Sequence, residues 1–214
     1  MKKTASLLIL SVLLIVSSCK GTEKNQILTG ADQPELYRSL LEDKAVGIVA
    51  NQTSITGGIH LVDMLVKMGI DIKVIFAPEH GFRDLADAGE SIEDGKDEST
   101  GITVTSLYGS HFKPTPEDLK GIDVVVFDIQ DVGARFYTYI STLHYVMEAC
   151  AENNVKCIVL DRPNPNGYYF DGNIADTARR SFVGMHPVPI VHGMTVGEYA
   201  GMVNGEGWLG EGMK

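Results

Sequence analysis

Hydrophobic and polar positions alternate in blocks along this chain. Four short apolar runs rich in Val and Ile each end in a cluster of polar, chemistry-capable side chains. Val46–Ala50 leads into Asn51-Gln52-Thr53, and Ile72–Ala77 into Pro78-Glu79-His80-Gly81-Phe82-Arg83. Val124–Phe127 leads into Asp128-Ile129-Gln130-Asp131-Val132-Gly133-Ala134-Arg135, and Cys157–Leu160 into Asp161-Arg162-Pro163-Asn164-Pro165-Asn166-Gly167. Segments with helical spacing separate the runs. Continuous β-branched runs separated by helices predict buried parallel strands joined by crossover helices. Ligands of open parallel sheets bind outside the carboxyl ends of the strands, so the polar clusters fall where a site belongs.

Leu36–Leu41 reads as a short helix before the first strand at Ala45–Ala50. Ile59–Met68 carries a helical stripe of Leu61, Met64, Leu65 and Met68, with Gly69 as its stop. Arg83–Gly101 is a long acid-rich loop, either functional or a solvated excursion. Ile102–Leu107 reads as a weaker strand, and Thr115-Pro116-Glu117-Asp118 as the capped start of a short helix ending at Gly121. Asp123–Asp128 is the third core strand, Tyr139–Glu152 a helix burying Ile140, Leu143, Met147 and Cys150, and Lys156–Leu160 the fourth core strand. Val188–Val191 is a further strand candidate. Thr195-Val196-Gly197-Glu198 is a capping box opening a helix that runs to Val203.

The first residues are a targeting segment rather than part of the fold. Lys2-Lys3 precede an apolar stretch, Leu7–Val16, too short for a comfortable membrane span, and Val16-Ser17-Ser18-Cys19 resembles a bacterial lipobox. Residues 1–18 then form a lipoprotein signal peptide, Cys19 carries the lipid, and residues 19–34 form a tether. The alternative is an ordinary secretory signal with an incidental Cys. The lipobox reading expects the cell envelope, with the membrane engaged only through the lipid anchor; the alternative expects plain export. Loss of Lys2 and Lys3 leaves 16 basic against 28 acidic residues, a net charge of −12. That balance argues against nucleic acid as a partner. Cys150 and Cys157 read as free buried thiols, although an oxidising compartment would let them pair. The Cys spacing is not that of a metal site, and there is no HExxH, P-loop or GxSxG. Gly205-Glu206-Gly207-Trp208-Leu209-Gly210 matches GxGxxG by letter but follows a helix, so no metal or cofactor is expected.

Glu79 is the first candidate for chemistry. A carboxyl just past Pro78, over a largely apolar strand end, sits in the setting of a general acid. A turn carboxylate capping a helix is the plainer alternative. Glu90 and Asp128 are candidates for the second carboxylate of glycoside hydrolysis, which needs two. Asp128 could instead be a buried acid bonding loop amides. Asn51, His80, Arg83, Gln130, Asp131, Asn164 and His192 line the same strand ends as candidate binding residues. Arg135 and Arg162 add forks for a carboxylate or phosphate, and Tyr137 and Tyr139 add rings for a sugar face.

Four of these segments also stand in a telling order. Ala77-Pro78-Glu79-His80-Gly81-Phe82-Arg83, then Asp128 through Tyr139, then Asp161-Arg162-Pro163-Asn164-Pro165, then His192-Gly193-Met194-Thr195-Val196-Gly197-Glu198 together closely resemble the DUF1343 family, associated with exo-β-N-acetylmuramidases of the NamZ type. The resemblance spans roughly Ala45 to Leu209. It implies an α/β fold with a Rossmann-like parallel sheet over residues 35–204, and a cleft shared with a smaller second domain. Residues 205–214 would begin a linker or that second domain, which this chain lacks. It implies a lipid-anchored exo-β-N-acetylmuramidase releasing terminal N-acetylmuramic acid from peptidoglycan fragments. The sugar calls for a carboxylate pair and its lactyl carboxylate for Arg. Two other functions fit the residues alone. One is a non-catalytic lipoprotein that binds an anionic sugar. The other is a metal-dependent hydrolase using Glu79, His80, Asp128 and Asp131.

Overall fold

The computed structural model describes residues 27–83 and 94–213. Cys19, Glu90, the leader and the first half of the tether lie outside the described residues. The chain runs α1 (Pro34–Leu41), β1 (Ala45–Ala50), β2 (Ile55–Thr56), β3 (Ile59–His60), α2 (Leu61–Lys67), β4 (Asp71–Ala77), β5 (Gly95–Lys96) and β6 (Thr103–Ser106). It continues through β7 (Val124–Asp128), α3 (Tyr139–Glu152), β8 (Lys156–Val159), a single 3₁₀ turn (Thr177–Arg179) and α4 (Val196–Gly205).

Six strands form one sheet in the order β5-β6-β4-β1-β7-β8. The pairs β6–β4, β4–β1, β1–β7 and β7–β8 are all parallel, and β5 joins antiparallel at the edge. The first strand in the chain is therefore central. Later strands add on one side of it and then on the other, so the order reverses beside β1. Alternation along the strands feeds two cores, one on each face. Val46, Ile48, Val124 and Val126 pack with Leu61 and Leu65 of α2 and Leu41 of α1. Val49, Val125 and Phe127 pack with Leu143 and Val146 of α3 and Tyr199 and Val203 of α4.

Several expectations shift. Thr115 does cap its turn, accepting Asp118 N–H at 3.3 Å and donating to its carboxylate at 2.6 Å, but only turns follow, because Gly121 adopts a left-handed conformation (φ 75°) before a helix is established. Ile59 and His60 pair with Ile55 and Thr56 in a small hairpin, so the second helix starts at Leu61. Val188–Val191 makes isolated bridges from Val191 to Ala134 and Asp171 instead of a strand. Cys150 and Cys157 are both unpaired.

Candidate functional site

The end of β1 is shaped by its own side chains. Asn51 is fully buried, and its Oδ1 accepts from the Thr53 N–H at 2.9 Å and the Thr53 hydroxyl at 2.5 Å, an Asx turn. Its N–H donates to Ser54 Oγ at 3.0 Å, and the Ser54 hydroxyl bonds the Asp128 carbonyl across to β7. Its carbonyl lies 2.9 Å from His60 Nε2. His60 Nδ1 accepts from Val62 N–H at 3.3 Å, so Nε2 carries the proton and donates to Asn51.

At the end of β4 the chain turns sharply. His80 and Gly81 both take positive φ, 73° and 88°, a conformation that histidine rarely adopts and that clusters at functional sites. The turn sets Glu79 against the start of α3. Thr138, the residue before that helix, donates its hydroxyl to Glu79 Oε2 at 2.7 Å instead of capping the helix itself. The carboxylate thus sits at the positive end of a 14-residue helix. His80 Nε2 is 4.0 Å from Glu79 Oε1. Burial raises the Tyr108 hydroxyl above its usual range, and the neighbouring Glu79 charge adds to it. Burial likewise lifts the Tyr139 phenol, with Asn51 and Gln52 amides beside the hydroxyl pulling it back and Glu79 pushing it up. Tyr137 lies 6.4 Å from Tyr139, ring to ring, and is exposed. Glu79, Thr138, Tyr139, Asn51, Gln52 and Tyr108 therefore cluster across the ends of β6, β4 and β1. Gln52, Tyr108 and Thr138 escape the sequence analysis. Thr138 precedes a predicted helix and carries an N-cap side chain, a usable signal.

The ends of β7 and β8 are different, and several assignments change there. Asp128 is fully buried and bound by both nitrogens of an Arg162 fork, Nε to Oδ1 at 2.7 Å and Nη2 to Oδ2 at 2.9 Å. Arg162 Nη2 also donates to the Ile55 carbonyl at 3.2 Å. Burial pushes the Asp128 carboxyl up, against the pull of Arg162. Asp128 thus has both oxygens bound and no solvent contact, and Arg162 commits its Nε and Nη2 to the fold. Arg83 is likewise consumed, by Asp63 at 2.7 and 2.9 Å and by Asp97 at 2.6 and 2.9 Å. Its guanidinium holds both carboxyls below their usual range, Asp97 against burial, and fastens the start of the acidic loop to α2. Gln130 donates to the carbonyls of Asp131 and Pro163, both at 2.8 Å. Asn164 bridges Met194 and Asn166, each at 2.7 Å.

His192 Nδ1 accepts from Met194 N–H at 3.3 Å, which directs its Nε2 to Asp131 Oδ2 at 3.4 Å. The pair is buried under α4, with Tyr199 edge-on to the His192 ring. Arg135 donates Nη1 to the carbonyls of Asn173 and Val188, at 2.7 and 2.5 Å, and among the described residues no carboxylate pairs with it. No group of three or more His, Cys, Asp or Glu among the described residues is placed to hold a metal ion.

Fold and site together define a doubly wound α/β domain with a polar cluster, centred on one carboxylate, where the strand order reverses. Residues 46–214 match the family described as exo-beta-N-acetylmuramidase NamZ, N-terminal, and the chain belongs to that family. It is 44% identical over 195 residues to the peptidoglycan beta-N-acetylmuramidase NamZ of Bacillus subtilis (strain 168), covering 89% of this chain and 47% of that protein. Two crystal structures of DUF1343 family proteins from Bacteroides fragilis NCTC 9343 superpose with TM-scores of 0.76 and 0.77, at 44% and 43% identity. They cover 86% of this chain, which covers 48% and 47% of theirs. The chain thus spans about half the length of the relatives it matches.

Proposed function

We propose that this chain supplies the catalytic carboxylate of an exo-acting β-N-acetylmuramidase that removes terminal N-acetylmuramic acid from peptidoglycan fragments. The observation that carries the reading is Glu79, held by Thr138 at the head of α3 beside Tyr108 and Tyr139. The 44% identity to a peptidoglycan muramidase supports the substrate class. In this reading Glu79 donates its proton to the glycosidic oxygen as the bond to C1 breaks; water then adds its oxygen to C1, and the proton it releases restores the Glu79 carboxyl. Thr138 fixes the carboxyl so that one oxygen stays on the hydroxyl while the other faces the leaving group. Asp128 is excluded as its partner by the Arg162 fork. Of the two arginines considered for the lactyl carboxylate, Arg135 is the one that no acid occupies among the described residues.

Glu79→Gln keeps the shape and the Thr138 bond but cannot donate the proton, so the full-length protein is expected to lose roughly 10²–10⁴-fold in N-acetylmuramic acid release from a MurNAc-GlcNAc disaccharide. Release within a few-fold of wild type would remove Glu79 from the chemistry.

The reading places the protein in the cell envelope on a lipid anchor. Its support is Lys2-Lys3, Leu7–Val16 and Val16-Ser17-Ser18-Cys19. Fatty-acid labelling is expected to mark the wild type and not Cys19→Ala, with catalysis unchanged. A wild type that carries no label and stays soluble would contradict the anchor.

A further inference from the structure

Two polar atoms in the cluster are buried without a hydrogen-bond partner: Asn51 Nδ2, a donor, and Gln52 Oε1, an acceptor. Buried polar atoms are nearly always paired in folded proteins, and an exception at a site points to a missing group. The Asn51 orientation is fixed, because its other amide atom accepts from Thr53 N–H and the Thr53 hydroxyl. Turning the amide over would set its NH₂ group against the Thr53 N–H. Its backbone is held as well, by Ser54 and His60. The unused donor is thus preorganised before any ligand arrives. Two other unpartnered ring nitrogens have a carboxylate close by: His192 Nε2 lies 3.4 Å from Asp131 Oδ2, and His111 Nε2 lies 3.0 Å from Asp118 Oδ2. Asn51 and Gln52 share the neighbourhood of the Tyr139 hydroxyl, which also feels the Glu79 charge.

We infer that Asn51 and Gln52 form the receptor for the 2-acetamido group of the substrate sugar. Asn51 Nδ2 donates to the acetamido carbonyl, and Gln52 Oε1 accepts the acetamido N–H. The inference rests on the muramidase reading above. The chemistry selects the group. A carboxylate has no proton for Gln52. A protonated amine has no acceptor for Asn51. A secondary amide supplies both, with N–H and C=O two bonds apart and directed to opposite edges of the group. A 2-hydroxyl offers both at a single atom and is the nearest competitor. The Tyr139 hydroxyl, beside both amides, is a third polar contact for the group.

The test compares kcat/KM of the full-length protein on three disaccharides that differ only at C2 of the muramic acid: N-acetyl, free amine and hydroxyl. Sites built to hydrogen-bond a group reject analogues lacking it by up to ~10⁴–10⁵, so wild type should favour the N-acetyl substrate at least ~10²-fold. Asn51→Asp keeps the Thr53 bonds and turns the donor into an acceptor. Gln52→Leu removes the acceptor at similar size and is an independent variant should Asn51→Asp fold poorly. Each should lower turnover of the N-acetyl substrate at least ~10-fold and leave the amine substrate within about threefold, with Asn51→Asp improving the amine through its new negative charge. Parallel losses on all three substrates, or an unchanged preference, would overturn the assignment while leaving the muramidase reading standing. If wild type cleaves none of them, that reading fails. The receptor is then judged by saturation-transfer NMR on N-acetylmuramic acid and muramic acid: preferential binding of the former, lost in both variants, supports it, and equal binding rejects it.

Discussion

The two halves of the strand-end surface look alike in sequence and differ in the structure. On the β7–β8 side the charged groups at the strand ends are paired within the fold, although Asp131 Oδ1 and His192 Nε2 are left without a hydrogen bond. Asp128 and Arg162 close on each other, and Asp161 accepts from the Thr195 hydroxyl and Gly197 N–H, both at 2.7 Å, tying β8 to the start of α4. On the β4–β1 side, Glu79 accepts from the Thr138 hydroxyl and lies beside the Tyr108 hydroxyl, and Asn51 and Gln52 each keep one amide atom without a hydrogen bond. A fully bonded polar cluster stabilises the fold and has nothing left to offer a ligand. A partly bonded one is costly unless a ligand completes it. The difference separates scaffold from site more sharply than residue type does.

The largest break in the comparison should come from Arg162→Ala. It leaves Asp128 charged, buried and alone, and removing one partner of a buried pair costs ~3–5 kcal/mol. Chemical denaturation should read that loss directly, and a change below about 1 kcal/mol would mean the pair is not a structural element. Gly197→Ala is the next step down. Its Cβ would fall 2.7 Å from Asp161 Cγ, and because Asp161 is held by Thr195 and Arg162 N–H, it cannot yield freely. Overpacking of this kind costs ~1–3 kcal/mol, again read by denaturation.

A smaller effect tests the ground behind the closed half. His186 is buried between Tyr199 OH and His144 Nδ1, both at 3.0 Å, and burial lowers its pKa from 6.5 to about 3, with His144 and Arg180 adding to the effect. Folding therefore favours the neutral ring. The unfolded chain binds a proton that the folded chain refuses, so stability is full above pH 6.5 and falls as pH drops toward about 3. Melting temperature measured from pH 7 to pH 4 should decline, and His186→Gln should flatten the slope. An unchanged slope in the variant would assign the decline to other groups.

Much of the scaffold was legible because burial imposes pattern. Ala45–Ala50 and Tyr139–Glu152 match the observed elements to the residue, and the capping box at Thr195 forms with both of its bonds. Strand order was not legible, since nothing local tells β1 that it will be central. The edge pair at Gly95–Lys96 carries no apolar signal to find. Within the site, Glu79 and Asn51 could be singled out from their places after apolar runs. Asp128, Arg83 and Arg162 could be singled out on the same grounds and are ion-paired within the fold. Whether a charge is free or paired depends on partners far along the chain: Arg162 finds Asp128 34 residues away, and Thr138 finds Glu79 59 residues away. Spacing along a sequence does not encode those meetings.

The central claim is that one carboxylate here is for chemistry and the other for the fold. The most direct measurement substitutes each isosterically, Glu79→Gln and Asp128→Asn, and follows N-acetylmuramic acid release and melting temperature on the same preparations. Glu79→Gln should lose most turnover with an unchanged melting temperature. Asp128→Asn should melt on the order of 5–10 °C lower and keep turnover while folded. The opposite pattern, with Asp128→Asn inactive at an unchanged melting temperature and Glu79→Gln active, would contradict the account.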